Sequence, residues 1–303
     1  MSGNSAFLDY IENLPLRVLH HATRRMPLAW RGAVAAWVGR RVILNVPGLR
    51  RRVESNLAHV YPDMPAARRD AILRANAGNI GRTMFEMRDN ARLVTDLDRI
   101  EVVPGEGLDA LEAARAAGRG ALLVSGHFGQ WDAVRAALKA RGMECGGIYR
   151  DHDNRYFNAD MLPQFESGGR PLFAKTPKGM RDLIKHVRAG GFAAVMMDQK
   201  TRDGEILDFM GKPATTATGI AELALRYDLP LVPAYGIRKP DGISFRIEFE
   251  PPIPHTDALT MSQAVNDSLA ARVHAMPEQW HWLHRRWDLT TRASLRAQRA
   301  AAG

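Results

Sequence analysis

The 303-residue sequence predicts an α/β fold: a largely parallel mixed sheet flanked by helices, preceded by a helical N-terminal region. Three observations lead there. From about residue 100, short apolar runs alternate with helix-prone stretches, the pattern of parallel strands joined by helical crossovers. Upstream, apolar residues recur at helical spacing. The composition, 46% hydrophobic and 25% charged, is that of a globular chain long enough for a full core. These features divide one domain into a basic helical region, 1–95, and an α/β core with a basic tail, 96–303.

The elements follow in order. Leu8, Ile11, Leu14, Val18, Leu19, Ala22 and Met26 form one helical face, which Pro27 interrupts; Trp30, Val34, Trp37 and Val38 continue it. Arg17, Arg24, Arg25, Arg31, Arg40 and Arg41 accompany these faces. Such helices either lie in an anionic membrane interface or cover the protein's own core, and one helix can do both. In the second region, strands are expected at 100–103, 121–125, 147–150, 171–174, 192–197 and 231–234. Helices are expected up to residue 117 and over 133–141, 154–165, 178–187 and 218–227. The turn Lys239-Pro240-Asp241-Gly242 predicts that the last strand, 243–249, runs antiparallel.

Charge is concentrated at the ends. The formal net charge is +9, of which residues 1–60 carry +6 and residues 281–303 carry +4, so the body is close to neutral. A near-neutral middle offers no long basic groove, and no helix-turn-helix, zinc-ligand or aromatic-platform signature is present, so nucleic acid is not expected as a partner. One cysteine, Cys145, excludes an internal disulfide and reads as a small packing residue. No apolar run reaches the length of a spanning helix, and no cleavable signal pattern opens the chain, so the expected location is cytoplasmic.

The chemistry-bearing candidate is Gly126-His127-Phe128-Gly129-Gln130-Trp131-Asp132, which follows the run Ala121–Ser125 and opens a helix. Ligands of open α/β sheets bind at such strand ends. His127 is the candidate base, with Asp132 in the first helical turn as the carboxylate that orients it. Arg150 is a candidate for binding phosphate or stabilising an oxyanion, and Asp198, at a later strand end, for binding or orienting a substrate. Arg170 and Asn154 are weaker substrate-binding candidates. Other patterns are poorer: Gly105-Glu106-Gly107 lacks the acidic ribose ligand of a dinucleotide site, and no Gly-x-Ser-x-Gly elbow or Walker loop exists. His281 and His284 offer half a metal site with no acid or thiol cluster near them in sequence, so aromatic packing is expected there.

Several segments together resemble the bacterial lipid A biosynthesis acyltransferases, which add lauroyl or myristoyl chains to a lipid A precursor. These are Gly126–Asp132, Tyr149-Arg150 with Asn154, Met197-Asp198-Gln199, Phe209–Gly219, Leu231-Val232-Pro233 and the string Pro277–Trp287. The resemblance runs from about residue 10 to residue 290. It implies transfer of an acyl group from acyl carrier protein to a hydroxyl of a phosphorylated glycolipid, at the cytoplasmic face of the inner membrane, without cofactor or metal. The family's H-x-x-x-x-[DE] pattern falls on His127 and Asp132, where many lipid A members have Glu and glycerolipid acyltransferases commonly have Asp. The alternatives are another lipid acceptor, glycerol phosphate or an aminolipid, and a non-catalytic membrane-associated protein that keeps the fold. Two further departures are the absence of a recognisable N-terminal spanning helix and Asp151 after Arg150, where proline is frequent. In this reading the Arg-rich termini and Trp30, Trp37, Trp280, Trp282 and Trp287 supply a basic cleft and an apolar groove for the acceptor.

Overall fold

The computed structural model describes residue 14, residues 17–201 and residues 203–289. Leu8 and Ile11 of the predicted N-terminal face, and the arginines of the tail beyond residue 289, lie outside the described residues. A helical stretch covers 17–23 and breaks ahead of Pro27, as the sequence predicts. Helix α1 (Leu28–Asn45) packs along α3 (Ala66–Glu86), with α2 (Pro47–Val60) between them in sequence. The α1–α3 crossing is tight because Gly39 and Gly81 meet: a Cβ on Gly39 would lie 2.4 Å from the Ala77 carbonyl oxygen, and one on Gly81 2.3 Å from that of Ala35. Trp30 and Trp37 point outward, 66% and 55% exposed. Arg31 does not: it is 2% exposed, because it faces α3 and pairs with Asp89. No helix among the described residues is long and apolar enough to cross a membrane.

After the short helix α4 (Ala91–Thr95) the chain alternates as predicted: β1 (Ile100–Val102), α5 (Glu106–Ala116), β2 (Ala121–Ser125), α6 (Asp132–Ala140), β3 (Cys145–Tyr149), α7 (Arg155–Gly168), β4 (Leu172–Ala174), α8 (Pro177–Arg188) and β5 (Phe192–Met196). The hairpin β6 (Glu205–Phe209) and β7 (Lys212–Thr216) comes next. Then follow α9 (Gly219–Tyr227), β8 (Leu231–Arg238), β9 (Phe245–Phe249) and α10 (Ala258–Ala275). The seven-stranded sheet has the order β1-β9-β8-β2-β5-β3-β4. All its pairs are parallel except β8–β9, so the antiparallel last strand is found where the turn predicts it.

Two elements are absent from the sequence-based expectation. In the β6–β7 hairpin, Phe209 pairs with Lys212 across Met210-Gly211, both at positive φ (58° and 73°), the two-residue turn that matches strand twist. Met210 adopts this conformation without being glycine and is buried against the core, which hides the turn from a sequence rule. Helix α10 begins at Asp257, whose carboxylate accepts from the Leu259 and Thr260 amides.

The central strands β2 and β8 are buried along their whole length, as expected for a sheet covered on both faces. One core cluster joins α5 and α6 to one face, and another joins α8, α9 and α10 to the other. A third joins α2 and α3 to Phe128, the hairpin, and Trp280 and Trp282. The N-terminal helices thus share their core with the segment that approaches the end of β2.

Candidate active site

His127 stands two residues beyond β2, and Asp198 two residues beyond β5. The strands are parallel neighbours with Ser125 opposite Met196, so the two residues occupy matching positions past the sheet edge. Their contact is direct. His127 donates its backbone N–H to Asp198 Oδ2 (2.8 Å), and its ring Nδ1 lies 2.7 Å from Oδ1. Trp280 Nε1 donates to the same carboxylate at 2.9 Å.

The Asp198 carboxyl is fully buried, which by itself would favour its neutral form. Attraction to the His127 and His284 imidazoles and the hydrogen bonds from His127 overcome that and hold it far below the ordinary carboxylate range. An ionised carboxylate only accepts, so Nδ1 carries the proton and Nε2 is left as the basic nitrogen.

Asp132 does not occupy the predicted place beside the His127 ring. Its carboxylate accepts from Arg135 Nη1 at 3.0 Å, one helical turn on, and its backbone N–H donates to Gln130 Oε1 at 3.3 Å. Arg135 also donates to the carbonyls of Cys145 and Gly169, which fixes the pair against β3 and the end of α7. The physical reason is local: in the first turn of α6 a basic residue at i+3 is within reach, whereas the His127 ring is already held across the sheet. Asp132 still lines the same cavity as His127.

The loop that carries His127 is clamped by the C-terminal segment. His127 accepts at its carbonyl from the His281 amide (2.9 Å), Gly129 donates to the Gln279 carbonyl (2.9 Å), and Phe128 bridges Trp280 in antiparallel fashion. Gly129 has φ 58°, and a Cβ there would lie 2.1 Å from the Gly236 oxygen, so the loop requires glycine at this point. Trp280 and Trp282 are buried core residues and not groove-lining ones, which corrects their expected place in an acceptor cleft.

The predicted aromatic packing of His281 and His284 is present, with ring centroids 4.6 Å apart, but His284 also lies 4.6 Å from the His127 ring. Burial lowers the His284 pKa to about 4, with Asp198 opposing and His127 and Arg286 adding to the fall, and burial drives His281 well below its ordinary range. The ligand atoms of His127, Asp198 and His284 all lie within 4.8 Å of one another, a donor set that suits zinc. The Asp198 carboxylate, however, already accepts from His127 twice and from Trp280, so the set is built as a hydrogen-bonded one.

A cavity of about 430 Å³ opens beside His127, within the range of small-molecule sites. Its walls are mainly apolar, with Trp131, Ile148, Phe165, Met180, Met197 and Ile220 among them. Exposed Arg150 and Lys175 are also among its lining residues, and they follow adjacent parallel strands whose last pair is Tyr149 and Ala174. Asn154 and Arg170 are not among the lining residues. Asn154 caps α7 by accepting from the Tyr156 and Phe157 amides, both at 3.0 Å. Arg170 is exposed and pairs with Glu166 at 2.9 Å. Cys145 is buried in β3 with its thiol pKa pushed up to about 12 by burial, which leaves it inert as a nucleophile.

Lys175 and His284 are site residues that the sequence did not single out as such, and Trp280 was expected in an acceptor groove and not beside Asp198. Trp280 and His284 belong to a string that looks like aromatic packing, and nothing near Lys175 marks it.

The profile of the bacterial lipid A biosynthesis acyltransferases matches residues 8–288. A phosphatidylinositol mannoside acyltransferase of Mycobacterium tuberculosis (strain CDC 1551 / Oshkosh) is 29% identical over 260 residues, 82% of this chain and 80% of the relative. The lipid A biosynthesis lauroyltransferase of Escherichia coli (strain K12) is 29% identical over 248 residues, 78% of each chain. The lipid A biosynthesis myristoyltransferase of the same strain is 23% identical over 265 residues, 85% of this chain and 80% of the relative. With a profile match over nearly its whole length, the chain belongs to the bacterial lipid A biosynthesis acyltransferase family, and its chemistry is acyl transfer.

Proposed function

We propose that the protein transfers a saturated acyl chain of medium length from acyl carrier protein to a hydroxyl of a lipid A precursor. The observation that carries this reading is the His127–Asp198 pair beside an apolar cavity that Arg150 and Lys175 also line. A hydroxyl is a poor nucleophile at neutral pH. His127 Nε2 takes its proton as the oxygen attacks the thioester carbonyl carbon, a contribution of about 10²- to 10⁴-fold. Asp198 holds the ring and stabilises the imidazolium. The tetrahedral intermediate then collapses, the carbon–sulfur bond breaks, and the thiolate takes the proton back from His127. The apolar walls hold the acyl chain, while Arg150 and Lys175 meet phosphate on the donor arm or the acceptor. Asp132 and Arg135 hold the cavity wall in shape. No step requires a cofactor.

The same reading places the enzyme peripherally at the cytoplasmic face of the inner membrane, where exposed Trp30 and Trp37 on α1 and the nearby arginines suit an anionic interface. A second reading, another glycolipid acceptor, is favoured by the similarity to a phosphatidylinositol mannoside acyltransferase. The deciding experiment offers purified enzyme a lipid A precursor, phosphatidylinositol mannoside and glycerol 3-phosphate, each with acyl carrier protein and coenzyme A thioesters, and weighs the products. One acyl chain added to the lipid A precursor from acyl carrier protein is the expected product. Acylation of either other acceptor with none of the lipid A precursor overturns the acceptor and leaves the histidine mechanism standing.

A further inference from the structure

A second, narrow cleft, sharing no lining residue with the first, lies between α1, α3 and the turn before β1 and encloses about 20 Å³. Four guanidinium groups line it, those of Arg31, Arg82, Arg92 and Arg99, against two carboxylates, Glu86 and Asp89. The acids are already committed. Both oxygens of Glu86 accept from Arg238, and one of them also accepts from Gln130. Asp89 pairs with Arg31 at 2.7 Å and with Arg92 at 2.9 Å.

Positive charge therefore remains in excess, and the donors show it. Arg31, 2% exposed, has Nε and Nη1 without a hydrogen-bond partner, and Arg99 has Nε without one. Arg82 makes a single hydrogen bond of 3.4 Å, to Asn79. Burial lowers the affinity of Arg82 and Arg99 for their protons, Arg238 adds to the fall in both, and Glu86 opposes it, as does Asp96, 3.7 Å from Arg99. The Phe85 face beneath Arg31, 5.5 Å from its guanidinium carbon, offsets part of the charge but accepts no directed N–H bond. Arginine does not shed its proton, so a guanidinium taken out of bulk water, as Arg31 is, is best met by an anion.

We propose that this cleft binds a phosphate group, whose oxygens point in several directions at once and so accept from guanidinium forks on three separate segments. The site does not depend on which lipid accepts the acyl chain. Its phosphate is either a free ion or the headgroup of a phospholipid, since Leu28 and Gly32 of the cleft lie on the helix that exposes Trp30 and Trp37.

The test uses the full chain. Inorganic phosphate at fixed ionic strength should raise the Tm of the wild type beyond what chloride does, and its Kd, from calorimetry, should weaken at least about tenfold in Arg82→Gln and in Arg99→Gln. Arg31 is not the residue to replace, because it is tied to Asp89 in the α1–α3 contact. The effect should survive Arg150→Gln, in the catalytic cavity. Flotation with phosphatidic acid vesicles then separates the sources: weaker flotation of Arg82→Gln assigns a headgroup, and unchanged flotation with weakened phosphate binding assigns a free ion. Phosphate that stabilises no more than chloride, or whose effect disappears in Arg150→Gln while persisting in Arg82→Gln and Arg99→Gln, overturns the proposal. If either cleft variant fails to fold, broadening of the phosphate phosphorus resonance by the Arg150→Gln chain supports the site, and a resonance that stays sharp there overturns it.

Discussion

The ends of β2 and β5 lie side by side, and each presents an acid close to the catalytic cavity. They use it differently. At the end of β2, Asp132 sits five residues after His127, in the first turn of α6, and is spent on Arg135. At the end of β5, Asp198 is 71 residues away in sequence and is held by His127 and Trp280. The near acid is tied to its own helix, and the distant one is delivered by strand register. In a parallel sheet, positions that match across neighbouring strands meet more reliably than positions a few residues apart on a loop.

The comparison breaks most sharply on His127 and Asp198. His127→Ala should lower kcat by about 10²- to 10⁴-fold with the fold intact, and Asp198→Asn should fall in the same range, because the wrong ring tautomer is then favoured. Both are read from initial rates beside circular dichroism. More than about a tenth of wild-type turnover in folded His127→Ala would falsify the assignment of the base.

Asp132→Ala should act elsewhere. It leaves the Arg135 guanidinium buried without its carboxylate, a loss of about 3 to 5 kcal/mol of folding stability seen in urea unfolding. Turnover per folded molecule should fall less than in Asp198→Asn. If Asp132→Ala kept its stability and lost more turnover than Asp198→Asn, the orienting role would return to Asp132.

A smaller effect comes from the buried imidazoles behind the pair. His284 titrates at about 4 in the folded chain against an ordinary 6.5, and His281 is shifted the same way. Between those values the unfolded chain binds protons that the folded one excludes, so stability is complete above about pH 6.5 and falls as the pH drops towards 4. His284 alone accounts for about 3 kcal/mol over that window. His284→Gln should flatten the pH dependence of Tm, and an unaltered profile would remove His284 as its source.

The smallest effect tests the clamp. Trp280→Phe keeps the packing but removes one donor from the Asp198 carboxylate, and should raise the kcat barrier by about 1 to 2 kcal/mol without changing KM. Equal kcat in the two enzymes would reduce Trp280 to a core residue.

Much of this was legible without coordinates. The alternation after residue 100, the antiparallel last strand and the position of His127 at a strand end follow from side-chain periodicity and turn chemistry, which are local properties. The β6–β7 hairpin escaped because Met210 takes a left-handed conformation that sequence rules reserve for glycine. Asn154 and Arg170 were misplaced because a helix cap and a surface ion pair use the same residue types as a binding site.

By itself, then, the sequence determined the fold class, the family resemblance and the imidazole at the end of β2. Which acid meets that imidazole, that Trp280 belongs to the same carboxylate, and that four arginines from three segments share one cleft were decided only by the tertiary structure. The reason is physical: periodicity reports the face on which a side chain lies, whereas partners distant in sequence are fixed by strand order, register and helix crossing, and these arise from packing the whole chain at once.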